Sequence, residues 1–191
     1  NFIATQSICL GDFDKDGRPE VVLSAVHQNE ACLVLKLDAI TGKEISCYYH
    51  PGHLSPAVAV DLGGDGTIEL VWGGVNDIFR RACIVVLDAR EMSGHAPLEG
   101  DEAIDGFENA REKFYALIPR TVLGESYLCR NPWNMVDGFT VVPTDSMVRV
   151  KVSEHCDYIN YFTTYYVYLG FDLVVSSVQP TQEFVQTAQK W

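Results

Sequence analysis

The sequence predicts an all-β fold built from repeated units. Two acidic, glycine-containing loops begin at Asp12 and Asp61, 49 residues apart, and each is followed at once by a short apolar run. A second matching pair, Leu-Asp-Ala at 37–39 and at 87–89, is separated by 50 residues. Repeats of about 20 to 50 residues are typical of stacked or radial arrays, and a unit of about 50 residues with short strands suits a propeller blade. We therefore expect a β-propeller-like repeat array, complete or partial.

The chain divides into three segments. Residues 1–91 hold the two repeats, each predicted as an acidic turn, a strand, a loop, a second strand and an Asp-Ala turn. Residues 92–112 are rich in glycine, proline and acids, which predicts a long connecting loop. Residues 113–191 are expected to form further β-rich blades or a closing segment, with a hairpin turning at 143–146 and strands buried on both faces within 158–178. After Pro180 the apolar spacing predicts a short C-terminal helix.

Composition limits the possible partners. The 191 residues are 47% hydrophobic and 21% charged, which suits one globular domain of ordinary core size. No apolar run reaches the roughly 18 to 20 residues that span a bilayer, so no direct membrane insertion is expected. A formal net charge of -12 predicts repulsion of phosphate backbones, and no nucleic-acid partner is expected. The start at Asn1, without a methionine or an apolar leader, suggests a processed chain or a fragment.

The cysteines give no metal-site spacing. Six are scattered along the chain, and several stand inside apolar, strand-like runs. We expect most of them to be small buried hydrophobes rather than a disulfide framework. They are Cys9, Cys32, Cys47, Cys83, Cys129 and Cys156.

The first acidic loop, residues 12–20, has the oxygen spacing that calcium requires. Carboxylates stand at loop positions 1, 3, 5 and 9, and the glycine at position 6 permits the sharp turn that makes them converge. The predicted ligands are Asp12, Asp14, Asp16, Arg18 through its peptide oxygen, and Glu20. Position 12 is Leu23 and both flanks are strand-like, so the loop is not an EF-hand. The alternative is an acidic turn whose side chains cap their own backbone amides.

The second acidic loop, residues 61–69, carries fewer ligands. Its predicted ligands are Asp61, Asp65 and Glu69, and Gly63 stands where the first loop has an acid. We expect weaker calcium binding there, or none.

Residues 11–22 and 60–71 resemble the calcium-loop repeats of FG-GAP and VCBS-type β-propellers, the class that also builds the head of integrin alpha chains. The resemblance covers about residues 8–90, and 37–43 is similar to the blade turn of quinoprotein-type propellers. It implies that Ca²⁺ is structural and that the protein is a non-catalytic module for adhesion, binding a protein or glycan ligand. It also implies an extracellular or cell-surface location, with a cytoplasmic one left open. Exposed aromatic residues and the long connection 93–108 are the candidate contact regions for a partner.

The alternative function is an accessory or catalytic propeller of a secreted hydrolase or quinoprotein-like enzyme. The sequence contains none of the nucleophile-elbow, phosphate-loop or dinucleotide-binding glycine motifs. His50 and His53 are separated by Pro-Gly, which predicts a loop rather than a helical zinc site. No catalytic residue is predicted, and an enzyme would need a convergent cluster of His, Asp, Glu or Arg that sequence alone does not reveal.

Overall fold

The computed structural model describes residues 4–27, 30–96, 109–121, 132–142, 147–156, 161–170 and 175–180. These residues contain thirteen strands and no helix, which confirms the all-β class. The helix predicted after Pro180 lies outside the described residues. The strands are β1 (Ala4–Gly11), β2 (Glu20–His27), β3 (Glu30–Asp38), β4 (Glu44–His50), β5 (Gly52–Val60), β6 (Glu69–Asn76), β7 (Arg81–Asp88), β8 (Gly94–His95), β9 (Phe114–Leu117), β10 (Pro132–Val142), β11 (Met147–Cys156), β12 (Tyr161–Gly170) and β13 (Val175–Pro180).

The strands form three sheets that follow one another along the chain. Sheet A has the order β1-β2-β3-β4-β8, sheet B the order β5-β6-β7-β9, and sheet C the order β10-β11-β12-β13. All pairings are antiparallel except that of β8 with β4, which is parallel. β8 lies within the segment predicted as a long connection, so part of that segment extends sheet A. Each sheet thus has four antiparallel strands, and β8, which lies between β7 and β9 in the chain, adds a fifth strand to sheet A.

The two sequence repeats correspond to sheets A and B. Glu20 pairs with Asp38 across β2 and β3, and Glu69 pairs with Asp88 across β6 and β7. A backbone hydrogen bond from the alanine after each Asp closes each unit: Ala39 N–H donates to the carbonyl of residue 19, and the N–H of residue 89 to that of residue 68, both at 3.0 Å. The period seen in the sequence therefore repeats the same strand pairing.

Sheet C confirms the hairpin predicted around residues 143–146, because β10 and β11 pair in antiparallel register on either side of it. The aromatic run also forms paired strands, β12 and β13. The prediction that these strands are buried on both faces is wrong for β12. Tyr165 and Val167 are buried, whereas Tyr166 between them is half-buried, so only one face of β12 packs into the core.

Two apolar cores hold the three sheets together. In the first, Val22 and Val34 of sheet A pack with Trp72 of sheet B. In the second, Ile84 of sheet B packs with Val150 of sheet C. Successive residues of a strand point to opposite faces, so β6 and β7 supply side chains to both cores. Sheet B is consequently buried on both faces, which explains its almost unbroken apolar sequence.

Two of the described cysteines, Cys32 and Cys83, are free and buried, as expected of small hydrophobes, whereas Cys9 and Cys47 are half-buried. Cys9, Cys32, Cys47 and Cys83 are free, and burial raises the pKa of the Cys32 thiol to about 11. Cys156, by contrast, is disulfide-bonded.

Gly74 should tolerate no side chain, since it marks a close approach of β5 and β6. A Cβ at Gly74 would overlap the carbonyl oxygen of His53, which is backbone and cannot move aside. We expect Gly74→Ala to lower the free energy of unfolding by roughly 2 kcal/mol or more in urea titrations. Gly138→Ala, where a Cβ meets nothing within 4 Å, is the matched control and should change it by less than about 1 kcal/mol. Equal effects of the two substitutions would contradict this view of the packing.

Candidate metal centre

The first acidic loop joins β1 to β2 and brings four carboxylates together. Asp12, Asp14, Asp16 and Glu20 can each place one oxygen so that all four lie within 4.8 Å of one another. No other such group of His, Cys, Asp and Glu occurs in the described part of the chain. The three aspartates are exposed, whereas Glu20 is 2% exposed. The loop therefore has a buried acidic base and an open acidic rim.

The backbone of the loop is bent so that the acids face inward. Gly17 has φ of 88° and Lys15 has φ of 63°, both in the left-handed region. Gly17 N–H donates to Asp12 Oδ2 at 3.0 Å, and the next amide, at residue 18, donates to Asp16 Oδ1 at 2.8 Å. Asp16 N–H donates to Asp14 Oδ1 at 3.2 Å. These hydrogen bonds form the self-capped acidic turn that was the alternative to a metal site. Each carboxylate nevertheless keeps lone pairs that can bind a cation.

Glu20 closes the loop from the protein side. Phe13 N–H donates to Glu20 Oε2 at 2.7 Å, and the Phe13 side chain is buried in the core between sheets A and B. A buried carboxylate is costly unless a positive charge or several hydrogen bonds offset it. Within the described residues no lysine or arginine forms an ion pair with Glu20. A cation between Glu20 and the three aspartates would supply that charge.

The second loop repeats this backbone arrangement between β5 and β6. The glycines at loop positions 4 and 6 have φ of 67° and 85°. Three hydrogen bonds match those of the first loop, position for position. They are Leu62 N–H to Glu69 Oε2 at 2.9 Å, Gly66 N–H to Asp61 Oδ2 at 2.8 Å, and Thr67 N–H to Asp65 Oδ1 at 2.7 Å. The turn geometry is therefore a property of the repeat, independent of whether a third aspartate is present.

The two loops differ in the group that faces the buried glutamate. In the second loop the ammonium of Lys113 bonds to Glu69 Oε1 and lies 3.9 Å from Asp88 Oδ2. The hydrogen bond with Glu69 raises the pKa of Lys113, so the side chain stays charged. Asp61, Asp65 and Glu69 do not form a candidate metal group among the described residues. In this loop, the Lys113 ammonium therefore supplies the positive charge that a metal ion would supply in the first loop.

Lys36 connects the first loop to the second repeat. Its side chain is almost fully buried, its ammonium donates to the carbonyl of Ala89 at 3.1 Å, and it lies 3.6 Å from Asp14 Oδ2. The loops themselves are neighbours, because a Cβ on Gly66 would lie 3.0 Å from Lys15 Nζ. Sequence reasoning missed Lys36 and Lys113. One sequence feature could have indicated Lys36: it is a lysine at an inward-facing position of β3, a strand that is otherwise largely apolar.

A second polar cluster lies between sheets A and B, around His50. His50 Nε2 is 3.0 Å from the hydroxyl of Tyr115 and 3.5 Å from Cys83 Sγ, and Asn76 donates to the same hydroxyl at 2.8 Å. His50 is fully buried, and burial lowers its pKa to about 3. The cluster is therefore closed to solvent in this structure. Among the described residues it does not join His53 in a metal group.

No protein-family model matches the chain, and neither a curated protein nor a solved structure shows significant similarity to it. The resemblance of the two loops to FG-GAP and VCBS repeats thus depends on the loop residues alone. In the part of the chain that the structure describes, no helix has the length and apolar character needed to cross a membrane.

Replacing Lys113 should show how strongly the second loop depends on its ammonium. Lys113→Met leaves Glu69, which is 5% exposed, without its positive partner. Because Lys113 is itself partly exposed, we expect a loss of about 1 to 2 kcal/mol in the free energy of unfolding, measured in urea. Lys151→Met, which removes an exposed pair with Asp137, is the control and should cost less than about 1 kcal/mol. A smaller loss at Lys113 than at Lys151 would refute the assignment.

His50 should make the protein less stable as the pH falls. Its folded pKa of about 3 is below the ordinary histidine value of about 6.5, so between these values only the unfolded chain binds the proton. The His50 contribution is complete above pH 6.5 and decreases by about 1.4 kcal/mol per pH unit below it. We expect the wild type to lose about 2 kcal/mol more than His50→Gln between pH 7 and pH 5. Parallel pH profiles of the two proteins would contradict this.

Proposed function

We propose that this protein is a non-catalytic β-propeller-like binding module in which one structural calcium ion occupies the first acidic loop. The main support is a difference in charge compensation between the two acidic loops, which share one backbone geometry. In the second loop, the Lys113 ammonium offsets the charge of the buried Glu69. The first loop has one more aspartate, and no lysine or arginine among the described residues forms an ion pair with its buried Glu20. An added negative charge is unfavourable unless a cation compensates it, and the Lys36 ammonium, 3.6 Å from Asp14, supplies one charge to a loop of four carboxylates.

The donor set of the first loop favours calcium over other common metals. All four side chains offer hard carboxylate oxygens, with no histidine or thiolate in the group. Calcium takes six to eight oxygens with flexible geometry, which the four acids, the peptide oxygen of Arg18 and water can supply. Magnesium needs a near-ideal octahedron and usually keeps several waters, so a ring of four acids suits it less well.

A calcium ion at this position would stiffen the junction between two sheets. Glu20 begins β2, and Phe13 in the same loop is buried between sheets A and B. Lys36 ties Asp14 to Ala89, at the end of the second repeat. The ion is therefore expected to act on the stability and rigidity of the scaffold, which leaves recognition to loops and inner strands.

The sheet arrangement supports the propeller-like part of the proposal. Sheet B packs between sheets A and C, with β1 against β5 and with β10 against β6 and β7. Ile8 and Leu10, on the face of sheet A that points away from sheet B, are 65% and 69% exposed. The corresponding face of sheet B is the one that sheet A covers. A further sheet of the same repeat class packed on sheet A would continue the array.

We infer a protein or glycan as the ligand, at the cell surface or outside the cell. The disulfide at Cys156 supports an oxidising location. The strongly acidic composition argues against a nucleic-acid partner. The histidine cluster in the described residues is closed to solvent and lends no support to the enzymatic alternative.

Calcium titration of two matched variants tests the proposal. The wild type should bind one calcium ion by isothermal titration calorimetry, and calcium at 100 times its dissociation constant should add about 2.7 kcal/mol of stability. This corresponds to a rise in Tm of roughly 5 to 10 °C over the protein in chelator. Asp14→Asn should abolish both effects, whereas Asp65→Asn in the second loop should leave them unchanged. An absence of calcium response in the wild type would refute the proposal.

A further inference from the structure

The face of sheet A that points away from sheet B is apolar across its strands. Residues that pair directly across neighbouring strands share one face of a sheet. Two adjacent cross-strand rows of this outward face are formed by Leu10, Val21 and Leu37, and by Ile8, Leu23 and Leu35. All six side chains are half-buried or exposed. A solvated sheet face normally carries polar residues, so two rows of aliphatic side chains are typical of a face that another surface covers.

The internal repeat shows what covers a face of this kind. The Leu23–Leu35 pair of sheet A has the same place in its repeat as the Trp72–Val85 pair of sheet B, 49 and 50 residues later. Trp72 and Val85 are completely buried in the core between sheets A and B. In sheet B this face is therefore the packing surface for a neighbouring sheet. Sheet A presents the equivalent surface to solvent.

A second copy of this chain can supply the covering sheet in one way. The inner face of its sheet A and both faces of its sheet B are already packed within the copy. The outward face of its sheet C carries Arg149 and Lys151, on the side opposite the buried Val150. Burial of these two cations against aliphatic side chains would be unfavourable. Among the described sheets, the outward face of sheet A is thus the one that matches itself.

The size of the face suits a weak dimer. Strands β1 to β4 have 8, 8, 9 and 7 residues. With neighbouring strands about 4.8 Å apart and a rise of about 3.4 Å per residue, they cover roughly 500 Å². Two copies in contact would bury about 1,000 Å² in total, which exceeds most crystal-packing contacts and lies at the small end of specific interfaces. We therefore expect a dissociation constant in the micromolar range.

We propose that two copies of this protein associate through the outward faces of their sheets A, as a symmetric dimer. In a two-fold arrangement one patch meets the same patch on its partner, which an apolar sheet face permits. The net charge of -12 on each copy opposes association, so the dimer should be stronger at high salt, where this repulsion is screened. The inference rests on the packing part of the proposed function, because the partner's sheet takes the place of the further repeat sheet, and it does not require calcium.

Sedimentation equilibrium at high salt, from about 1 to about 200 µM protein, tests the inference. The wild type should change from the monomer mass of 21.3 kDa to about twice that mass as its concentration rises. Ile8→Lys and Leu10→Lys, at exposed positions of the face, should each weaken the association about tenfold or more. Thr140→Lys, at an exposed position of β10 in sheet C, introduces the same charge elsewhere and should leave the association unchanged.

A second readout needs no substitution. The methyl resonances of Leu23 and Leu35 should shift with the concentration of the wild type, because both side chains lie on the outward face. A wild type that stays monomeric at every concentration would overturn the inference and leave the face to a different partner. A dimer that Thr140→Lys disrupts and Leu10→Lys leaves intact would also overturn it.

Failure of this inference can be told apart from failure of the calcium proposal. The same concentration series is run in calcium and in chelator, and calcium stoichiometry is measured on the same samples. A dimer that binds no calcium would support the interface and refute the metal centre alone. A monomer that binds one calcium ion would refute the interface alone.

Discussion

Compensation of a buried glutamate is the interaction on which both repeats depend. Glu20 and Glu69 each start the second strand of a sheet and accept a backbone amide from their own loop at 2.7 and 2.9 Å. Each thereby fixes the turn that leads into the sheet, and each brings a negative charge out of water. Such a charge destabilises the fold unless a cation or several hydrogen bonds offset it, and each glutamate accepts one backbone amide from its loop. The chain meets this requirement with Lys113 in one repeat and, as we propose, with calcium in the other.

The matching loops separate what the backbone needs from what an ion needs. Both have a left-handed glycine at the sixth position and the same three hydrogen bonds, so the turn forms with or without a third aspartate. Asp14 adds a carboxylate where the second loop has Gly63, and Lys113 supplies a charge only to the second. The first loop thus has one carboxylate more, and its neighbouring ammonium, Lys36, lies 3.6 Å from Asp14, whereas Lys113 bonds to the buried glutamate itself. Two repeats can thus share one backbone conformation and still differ in whether they need a metal ion.

Sequence reasoning reached the repeat, the all-β class and the convergence of the first four acids, because these follow from local spacing. A strand with alternating apolar residues and an Asp-Gly turn can each be recognised from about ten consecutive residues. Lys36 and Lys113 were not predicted, since each acts on a loop distant in the chain. The register shifts in β5 and β10 were not predicted either, because a single-residue bulge leaves no clear mark in the sequence. The fold of residues 181–191 lies outside the described residues.

A crystal structure grown in millimolar calcium would test the central claim most directly. The account predicts an ion among Asp12, Asp14, Asp16 and Glu20, held by six to eight oxygens at about 2.3 to 2.6 Å. It also predicts that the second loop keeps the Lys113 ammonium on Glu69 and binds no ion. Density for water alone in the first loop, or a lysine ammonium moved onto Glu20, would contradict the account.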